Sequence, residues 1–247
     1  MKLLSETLIQ VNEEPELVRK FAGKLEEESA RLSDLVQEII QLSRLQETDA
    51  LSDPQVVSID GVVNEALERM DVEAKAHKIH LSRGGERGLE VYGDYSLLVT
   101  AVRNLLDNAI RYSKSHSRVS VGVSSANDTV SIAVVDAGQG IPEEIQGRVF
   151  ERFFRGDAAR SRDTGGTGLG LSIVKHVVQD HGGKVRLWSE EGRGSTFTIV
   201  LPKAYEQLRQ QAGKSQSADS GDEAGAAAIS LTQTAESQQE EADGTID

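Results

Sequence analysis

The sequence predicts an α+β protein: a two-layer sandwich of helices on a sheet, preceded by one long helix and followed by a polar tail. Three observations carry that expectation. Helical and strand periodicities are segregated along the 247 residues rather than strictly alternating, which favours a two-layer sandwich over a doubly wound parallel sheet. Near the N-terminus, apolar residues recur in alternating steps of three and four. From Gly213 onward one base, Lys214, stands against eight acids among Ser, Gln and Ala, a composition that cannot bury a core.

The elements follow in order. Over 18–42 the positions Val18, Phe21, Leu25, Glu28, Leu32, Leu35, Ile39 and Leu42 form a heptad seam with one polar entry, so a long helix seeking a partner is expected. Pro15 suits its first turn, behind Glu13 and Glu14 at the positive end of the dipole. Ser52-Asp53-Pro54 breaks the pattern; 56–59 then reads as a short strand, 60–76 as a helix and 79–81 as extended. The next helix, 94–112, has Asp94 as its N-cap. Alternation at 119–123 and 130–135 gives two strands, a glycine-rich stretch leads into a helix at 169–181, and strands follow at 184–188 and 196–201. A short helix is expected at 205–211. The organisation is a helical segment at 1–48, a folded domain at 49–203 and a largely disordered acidic tail at 204–247.

Composition excludes several classes of function. A net charge of −13 argues against general binding to nucleic acid or an anionic membrane, since both need a basic surface. With no cysteine, disulfides, thiolate metal sites and thiol catalysis are ruled out. No run of about eighteen apolar residues is present and the first residues form no signal-peptide core, so a cytoplasmic chain without membrane contact of its own is expected.

Chemistry concentrates in glycine- and asparagine-bearing strings. On the helix at 94–112, Asn104, Asn108 and Arg111 lie within about 60° of one another at 100° per residue, away from the stripe of Leu98, Val102, Leu105 and Ala109. Two amides and a guanidinium on one face suit a hydrated Mg²⁺ and the phosphates it bridges; a solvated polar face is the plainer alternative. Asp136 ends a strand that is apolar at Ile132, Val134 and Val135. A carboxylate there can accept a hydrogen bond from an adenine amino group, an interaction of about 1.5–3 kcal/mol, while Gly138 and Gly140 let backbone approach the ring. Gly165-Gly166-Thr167-Gly168-Leu169-Gly170-Leu171 opens an amphipathic helix and exposes N–H groups to phosphate. It lacks the Gly-Lys-Ser/Thr ending of a P-loop, and Ile173 takes the place of the third glycine of a dinucleotide fingerprint.

In chain order, Asn104-Leu-Leu-Asp-Asn108-Ala, Asp136-Ala-Gly-Gln-Gly140, Phe150-Glu-Arg-Phe-Phe-Arg155, Gly166-Thr-Gly-Leu-Gly-Leu171 and Gly192-Arg-Gly-Ser-Thr196 resemble the N, G1, F, G2 and G3 boxes of two-component sensor histidine kinases. The resemblance covers about 17–202, and 150–177 looks most like actinobacterial phosphate-responsive members. It implies a Bergerat-type α/β sandwich behind a partial helical dimerisation hairpin, with ATP and Mg²⁺ as ligands. Asn108 would be the principal metal ligand with Asn104 nearby, Asp136 the adenine anchor and Tyr112 a wall of the base pocket. Arg111 and Arg155 would face the phosphates. Gly138, Gly140, Ile141, Gly166, Thr167, Gly168, Leu169, Gly170 and Leu171 would line the nucleotide, with 140–166 as a mobile lid. Related ATPases of the same superfamily carry a glutamate four residues before the metal asparagine to activate water; here that position is Asn104, so transfer to another nucleophile is favoured over hydrolysis.

The five histidines, His77, His80, His116, His176 and His181, read as surface or packing residues, because none lies in the family's His-Glu/Asp-x-Arg/Lys-Thr-Pro acceptor context. The resemblance therefore implies a chain that starts just past the acceptor and does not phosphorylate itself. In the family, such a kinase passes the phosphoryl group to a response-regulator aspartate, acts as a homodimer through the hairpin and lies on the cytoplasmic side of a plasma-membrane sensor. The alternative is a non-catalytic ATP-binding module that pairs with a full-length kinase. A serine-directed kinase of the anti-sigma type is disfavoured by the helical segment.

Overall fold

Proline at position 15 opens the longest element of the computed structural model, which describes residues 15–47, 51, 54–156 and 167–204. Helix α1, Pro15–Glu47, starts where a missing N–H leaves nothing unsatisfied, with Glu16 in the first turn. Its apolar residues divide between two directions. Val18, Phe21, Leu25 and Leu35 are half-buried, and Leu35 packs against the core of the following domain. Leu32, Val36 and Ile40 are 46%, 54% and 47% exposed and, at steps of four, share a second stripe. The single seam expected from the heptad is thus split, because the domain already occupies one side of the helix. The side chains of Ile39 and Leu42 lie outside the described residues.

Strand β1, Gln55–Ser58, pairs antiparallel with β3, Glu90–Gly93, in a two-stranded ribbon. Ile59, expected to end the strand, instead begins α2, Ile59–Ala76, because the Ser58 hydroxyl accepts the Gly61 amide and caps the helix. Helix α3, Tyr95–Tyr112, starts on the foreseen cap: Asp94 Oδ1 accepts the amides of Ser96 at 2.8 Å and Leu97 at 3.1 Å.

The main sheet comprises β2 (His80–Gly85), β4 (Arg118–Ala126), β5 (Thr129–Val135), β6 (Lys184–Glu190) and β7 (Gly194–Pro202). Its order is β2-β4-β5-β7-β6; β2 and β4 run parallel and every other neighbouring pair antiparallel. Period-two alternation buries Val119, Val121 and Val123 of β4, Val130, Ile132 and Val134 of β5, and Phe197, Ile199 and Leu201 of β7. Helices α2, α3 and α5 (Gly170–Asp180) bring Val62, Val63, Leu98, Leu105, Ile173 and Val177 into the same core. This is the expected α+β sandwich. A short α4, Glu143–Gln146, follows β5 and was not legible from periodicity.

The chain divides into two units, Met1–Lys203 and Ala204–Asp247. The expected helix at 205–211 and the acidic tail lie outside the described residues, as do 1–14 and the C-terminal end of the expected lid, 157–166. Among the described residues no helix is long and apolar enough to cross a membrane.

Candidate functional site

The carboxyl end of β5, the C-terminal half of α3 and the turn into α5 each leave polar groups that the fold alone does not use. Asp136 follows the last residue of β5, and the register Val135↔Thr196 sets it beside the start of β7. Its Oδ1 accepts the amides of Gly138 at 2.8 Å and Ser195 at 3.2 Å, while its own N–H donates to Ser195 O at 2.9 Å. Both side-chain bonds fall on Oδ1, which leaves Oδ2 to accept from a ligand. Burial raises the Asp136 pKa above the ordinary carboxylate value, and the two amides oppose that rise without cancelling it.

The backbone around this carboxylate is closely packed. A Cβ at Gly138 would stand 2.5 Å from the carbonyl oxygen of Tyr112 and 2.8 Å from Asp136 Oδ1. Gly140 has φ +72°, and a Cβ there would meet Glu190 O at 2.1 Å; one at Gly194 would meet Asp136 O at 2.2 Å. Ser189 Oγ accepts the Ile141 amide at 2.8 Å and lies 3.0 Å from Ser195 Oγ. Gln146 of α4 donates to Ile141 O at 2.8 Å and Ser189 O at 3.1 Å. Tyr112, at the end of α3, presents an exposed ring next to this loop. Sequence reasoning gave no role to Ser189, Ser195 or Gln146; the only signal was that Ser195 sits inside the Gly192-to-Thr196 string.

The other end of the site is less complete. Asn104 is 7% exposed, and its Nδ2 is sealed from solvent with no acceptor among the described residues. Arg155 Nη2 is buried in the same condition. Leaving such donors unpaired costs roughly 1–3 kcal/mol each, more for a charged group, so both point to an anionic ligand. Asn108, one turn further along α3, is half-buried. Arg111 is already engaged: its Nη2 lies 3.0 Å from each carboxylate oxygen of Asp107. Burial works against the Arg111 charge and Asp107 outweighs it, so the guanidinium holds its proton more firmly than usual. Spacing placed Arg111 on the asparagine face but not the acid one turn back that shares it.

Between these groups runs the turn into α5. Phe153, at φ +60°, donates its N–H to Gly168 O at 3.0 Å, and a Cβ at Gly168 would lie 2.9 Å from the Phe153 carbonyl carbon. Leu169 is fully buried and its amide donates to Thr167 Oγ1 at 3.2 Å. A Cβ at Gly170 would stand 3.8 Å from the Asn104 side chain. Leu171 packs on the core, and Gly166 lies outside the described residues. The turn therefore joins the segment ending in Arg155 to the face bearing Asn104.

Among the described residues no group of three or more His, Cys, Asp or Glu side chains is placed to hold a metal. A divalent ion beside Asn104 and Asn108 would be held by neutral amide oxygens together with oxygens of the ligand. That donor set suits a hard cation that keeps part of its water shell, which is the behaviour of Mg²⁺. The whole arrangement fits a ligand with an amino group at one end and several anionic oxygens at the other.

Residues 93–205, which hold nearly all of these groups, match the histidine kinase-, DNA gyrase B-, and HSP90-like ATPase family. Sensor-like histidine kinase SenX3 of Mycolicibacterium smegmatis is 48% identical over 203 residues, covering 82% of this chain and 53% of that protein. Among solved structures, the mycobacterial sensor histidine kinase MprB is 34% identical with a TM-score of 0.54, covering 62% of this chain and 99% of that one. Full-length ShkA in complex with AMPPNP is 25% identical with a TM-score of 0.65, covering 76% of this chain and 39% of that one. The chain belongs to the sensor histidine kinases, and it spans about half the length of the curated relatives it matches.

Proposed function

We propose that this protein is the ATP-binding catalytic core of a two-component sensor histidine kinase. It binds Mg·ATP and directs the γ-phosphoryl group to a histidine of a helical hairpin, from which a response-regulator aspartate takes it. The observation that carries the reading is the pair of sealed, unpaired donors: Asn104 Nδ2 beside Gly170, and Arg155 Nη2 just beyond, in the chain, the Phe153–Phe154 backbone that meets Gly168. A triphosphate supplies the acceptors that they lack.

In this reading Asp136 Oδ2 accepts the adenine amino group, Tyr112 flanks the base, and Gly138 keeps the pocket open beside the carboxylate. Asn108 and Asn104 would hold Mg²⁺, and the ion would supply neutralisation of the phosphate charge. Arg155 steadies the phosphate oxygens. In the transfer, an imidazole nitrogen forms a P–N bond as the P–O bond to ADP breaks. No carboxylate stands at position 104 to activate water, which supports transfer to an imidazole over hydrolysis. The AMPPNP held by ShkA supports an adenine nucleotide as the ligand. The exposed Leu32–Val36–Ile40 stripe supports a helix partner for α1 and, through it, a dimer.

The test combines the full chain with a separately expressed helical hairpin carrying an intact acceptor histidine and γ-labelled Mg·ATP. Acid-labile, base-stable label should appear on the hairpin and vanish with Asp136→Asn. Mg·ATP binding by calorimetry without any transfer would replace the enzyme with the non-catalytic module.

A further inference from the structure

Helices α3 and α5 lie side by side and approach each other at two levels. At one, the space over Gly170 adjoins the Asn104 side chain. At the other His181, just past the C-terminus of α5, meets Asp94, the N-cap of α3. We propose that His181 is a positioning residue, whose hydrogen bond to the Asp94 amide fixes the axial register of the two helices and so keeps Asn104 opposite Gly170. The inference rests on the Mg·nucleotide reading given above.

The ring is 1% exposed. Its Nε2 lies 2.9 Å from the Asp94 amide and its Nδ1 2.7 Å from Val177 O. A backbone N–H only donates, so Nε2 must be bare and the proton sits on Nδ1, donating to the Val177 carbonyl. One neutral tautomer satisfies both contacts. Burial keeps the imidazole pKa below its ordinary value, against the opposing pull of Val177 O, Asp94 and Asp180, so the bare Nε2 persists at neutral pH. The seat admits no slack on the β3 side: a Cβ at Gly93 would lie 2.1 Å from His181 Cδ2 and 2.4 Å from Nε2.

The geometry makes this contact a register device. Asp94 gives its amide to His181 and its carboxylate to the first turn of α3, so the histidine anchors the cap residue itself. From Asp94 to Asn104 is about 15 Å of helix, and from Gly170 to His181 about 16.5 Å, at 1.5 Å per residue. The two helices thus run antiparallel, with the His181–Asp94 hydrogen bond as a rung at one level and the approach of Gly170 to Asn104 at the other. Sliding one helix displaces Asn104 from Gly170 by the same distance. The adenine anchor is held by β5 and β7 and is independent of the rung.

The test compares the full-length wild-type chain with His181→Asn and His181→Gln. Asparagine mimics Nδ1 and keeps the Val177 contact without reaching Asp94; glutamine places an acceptor near the Nε2 position. Two quantities are read: amide hydrogen exchange at Asp94, and nucleotide affinity with and without Mg²⁺. With His181→Asn, Asp94 exchange should accelerate about tenfold and the affinity that Mg²⁺ adds should fall about tenfold, the factor carried by one hydrogen bond of ordinary net strength. Metal-free ADP affinity should stay within about twofold, and His181→Gln should recover most of the loss. A folded His181→Asn protein with faster Asp94 exchange but an unchanged Mg²⁺ gain overturns the inference, as does an equal loss of metal-free affinity.

Should His181→Asn not fold, the wild type decides. Reciprocity requires Mg·ATP to slow Asp94 exchange more than metal-free ADP does. Equal protection by both ligands, or by neither, overturns the proposal. A wild type that binds no nucleotide removes the underlying reading and this inference together, whereas nucleotide binding with an uncoupled Asp94 removes the inference alone.

Discussion

In the proposed nucleotide site, the end assigned to adenine and the end assigned to the phosphates are built on opposite plans. At the adenine end Asp136 is already fixed by two backbone amides, and the loop at 138–141 is braced by Ser189, Gln146 and the close approach of Glu190. Asp136 Oδ1, the Ile141 amide and the Gln146 amide all have partners before any ligand arrives, whereas Asp136 Oδ2 is left open. At the phosphate end two buried donors have none, and the turn into α5 is held by a strained aromatic residue, Phe153. The contrast teaches which interactions belong to the fold and which are reserved for the ligand. Rigidity at the base gives recognition without an ordering cost; unsatisfied donors at the phosphates make the ligand complete the structure.

The largest effect should come from Asp136→Asn. Asn Oδ1 still accepts from Gly138 and Ser195, but its NH₂ faces the adenine amino group, donor against donor. Loss of a charged acceptor worth about 1.5–3 kcal/mol lowers affinity on the order of tenfold to a hundredfold, read by calorimetry. The ligand-free protein should behave in the opposite sense. Because burial raises the folded-state pKa, ionising Asp136 costs stability as pH rises from the ordinary carboxylate value through the raised one, so the stability of the amide variant relative to wild type should grow over that window. Nucleotide affinity should fall as pH is lowered through the same window, since a protonated Asp136 no longer offers a bare oxygen. A variant that keeps its affinity, or a stability difference between variant and wild type that does not grow as pH rises through that window, breaks the comparison at its rigid end.

Next in size is Gly140→Ala. Its φ of +72° and the Glu190 carbonyl 2.1 Å from the added Cβ leave no unstrained solution. Stability should fall by about 2–3 kcal/mol, seen as a drop in Tm of roughly 2–4 °C per kcal/mol for a chain of this size. The nucleotide-dependent rise in Tm should shrink with it.

How much of this was legible beforehand depends on where the partner lies. Asn104 and Asn108 stood out because each costs helix propensity on an otherwise amphipathic helix, and Asp136 because it ends a strand of apolar residues. The supports of Asp136 did not, since the Ser195 amide comes from 59 residues away and carries no side-chain signature. Strand β3 escaped because it is four residues long and fully buries only Val91 and Gly93. Arg111 shows the limit of face arguments: helical spacing set it on the face of Asn104 and Asn108, yet Asp107, in the same string, takes the guanidinium. The heptad of α1 marks a helix and not its partner, because periodicity records that a stripe is apolar and not which of two neighbours covers it.

A smaller effect tests the flexible end. Asn104→Leu keeps the volume close and removes a sealed donor without an acceptor, so the ligand-free protein should gain about 1 kcal/mol, measured as a higher urea midpoint at constant m. Mg·ATP affinity should fall in the same variant. Loss of stability on this substitution would mean that Asn104 serves the fold, and the two ends would then differ in degree rather than in kind.

The smallest effect separates the two sets of glycines. At Gly138, Gly140 and Gly194 an added methyl group collides with backbone, but at Gly170 its nearest neighbours are the Asn104 side-chain atoms at 3.8–3.9 Å, an ordinary contact. Gly170 is also the first residue of α5, where alanine is accepted at no conformational cost. Gly170→Ala should therefore leave the ligand-free Tm unchanged or raise stability by a few tenths of a kcal/mol, as relief of glycine's chain entropy predicts. Yet the methyl group occupies the space beside the Asn104 amide that the phosphates are to enter, so Mg·ATP affinity should drop while metal-free ADP affinity drops less. Calorimetry on this one variant decides whether that space belongs to the ligand: full affinity with a methyl group in place would return Gly170 to the fold and leave Arg155 as the only buried donor kept for the phosphates.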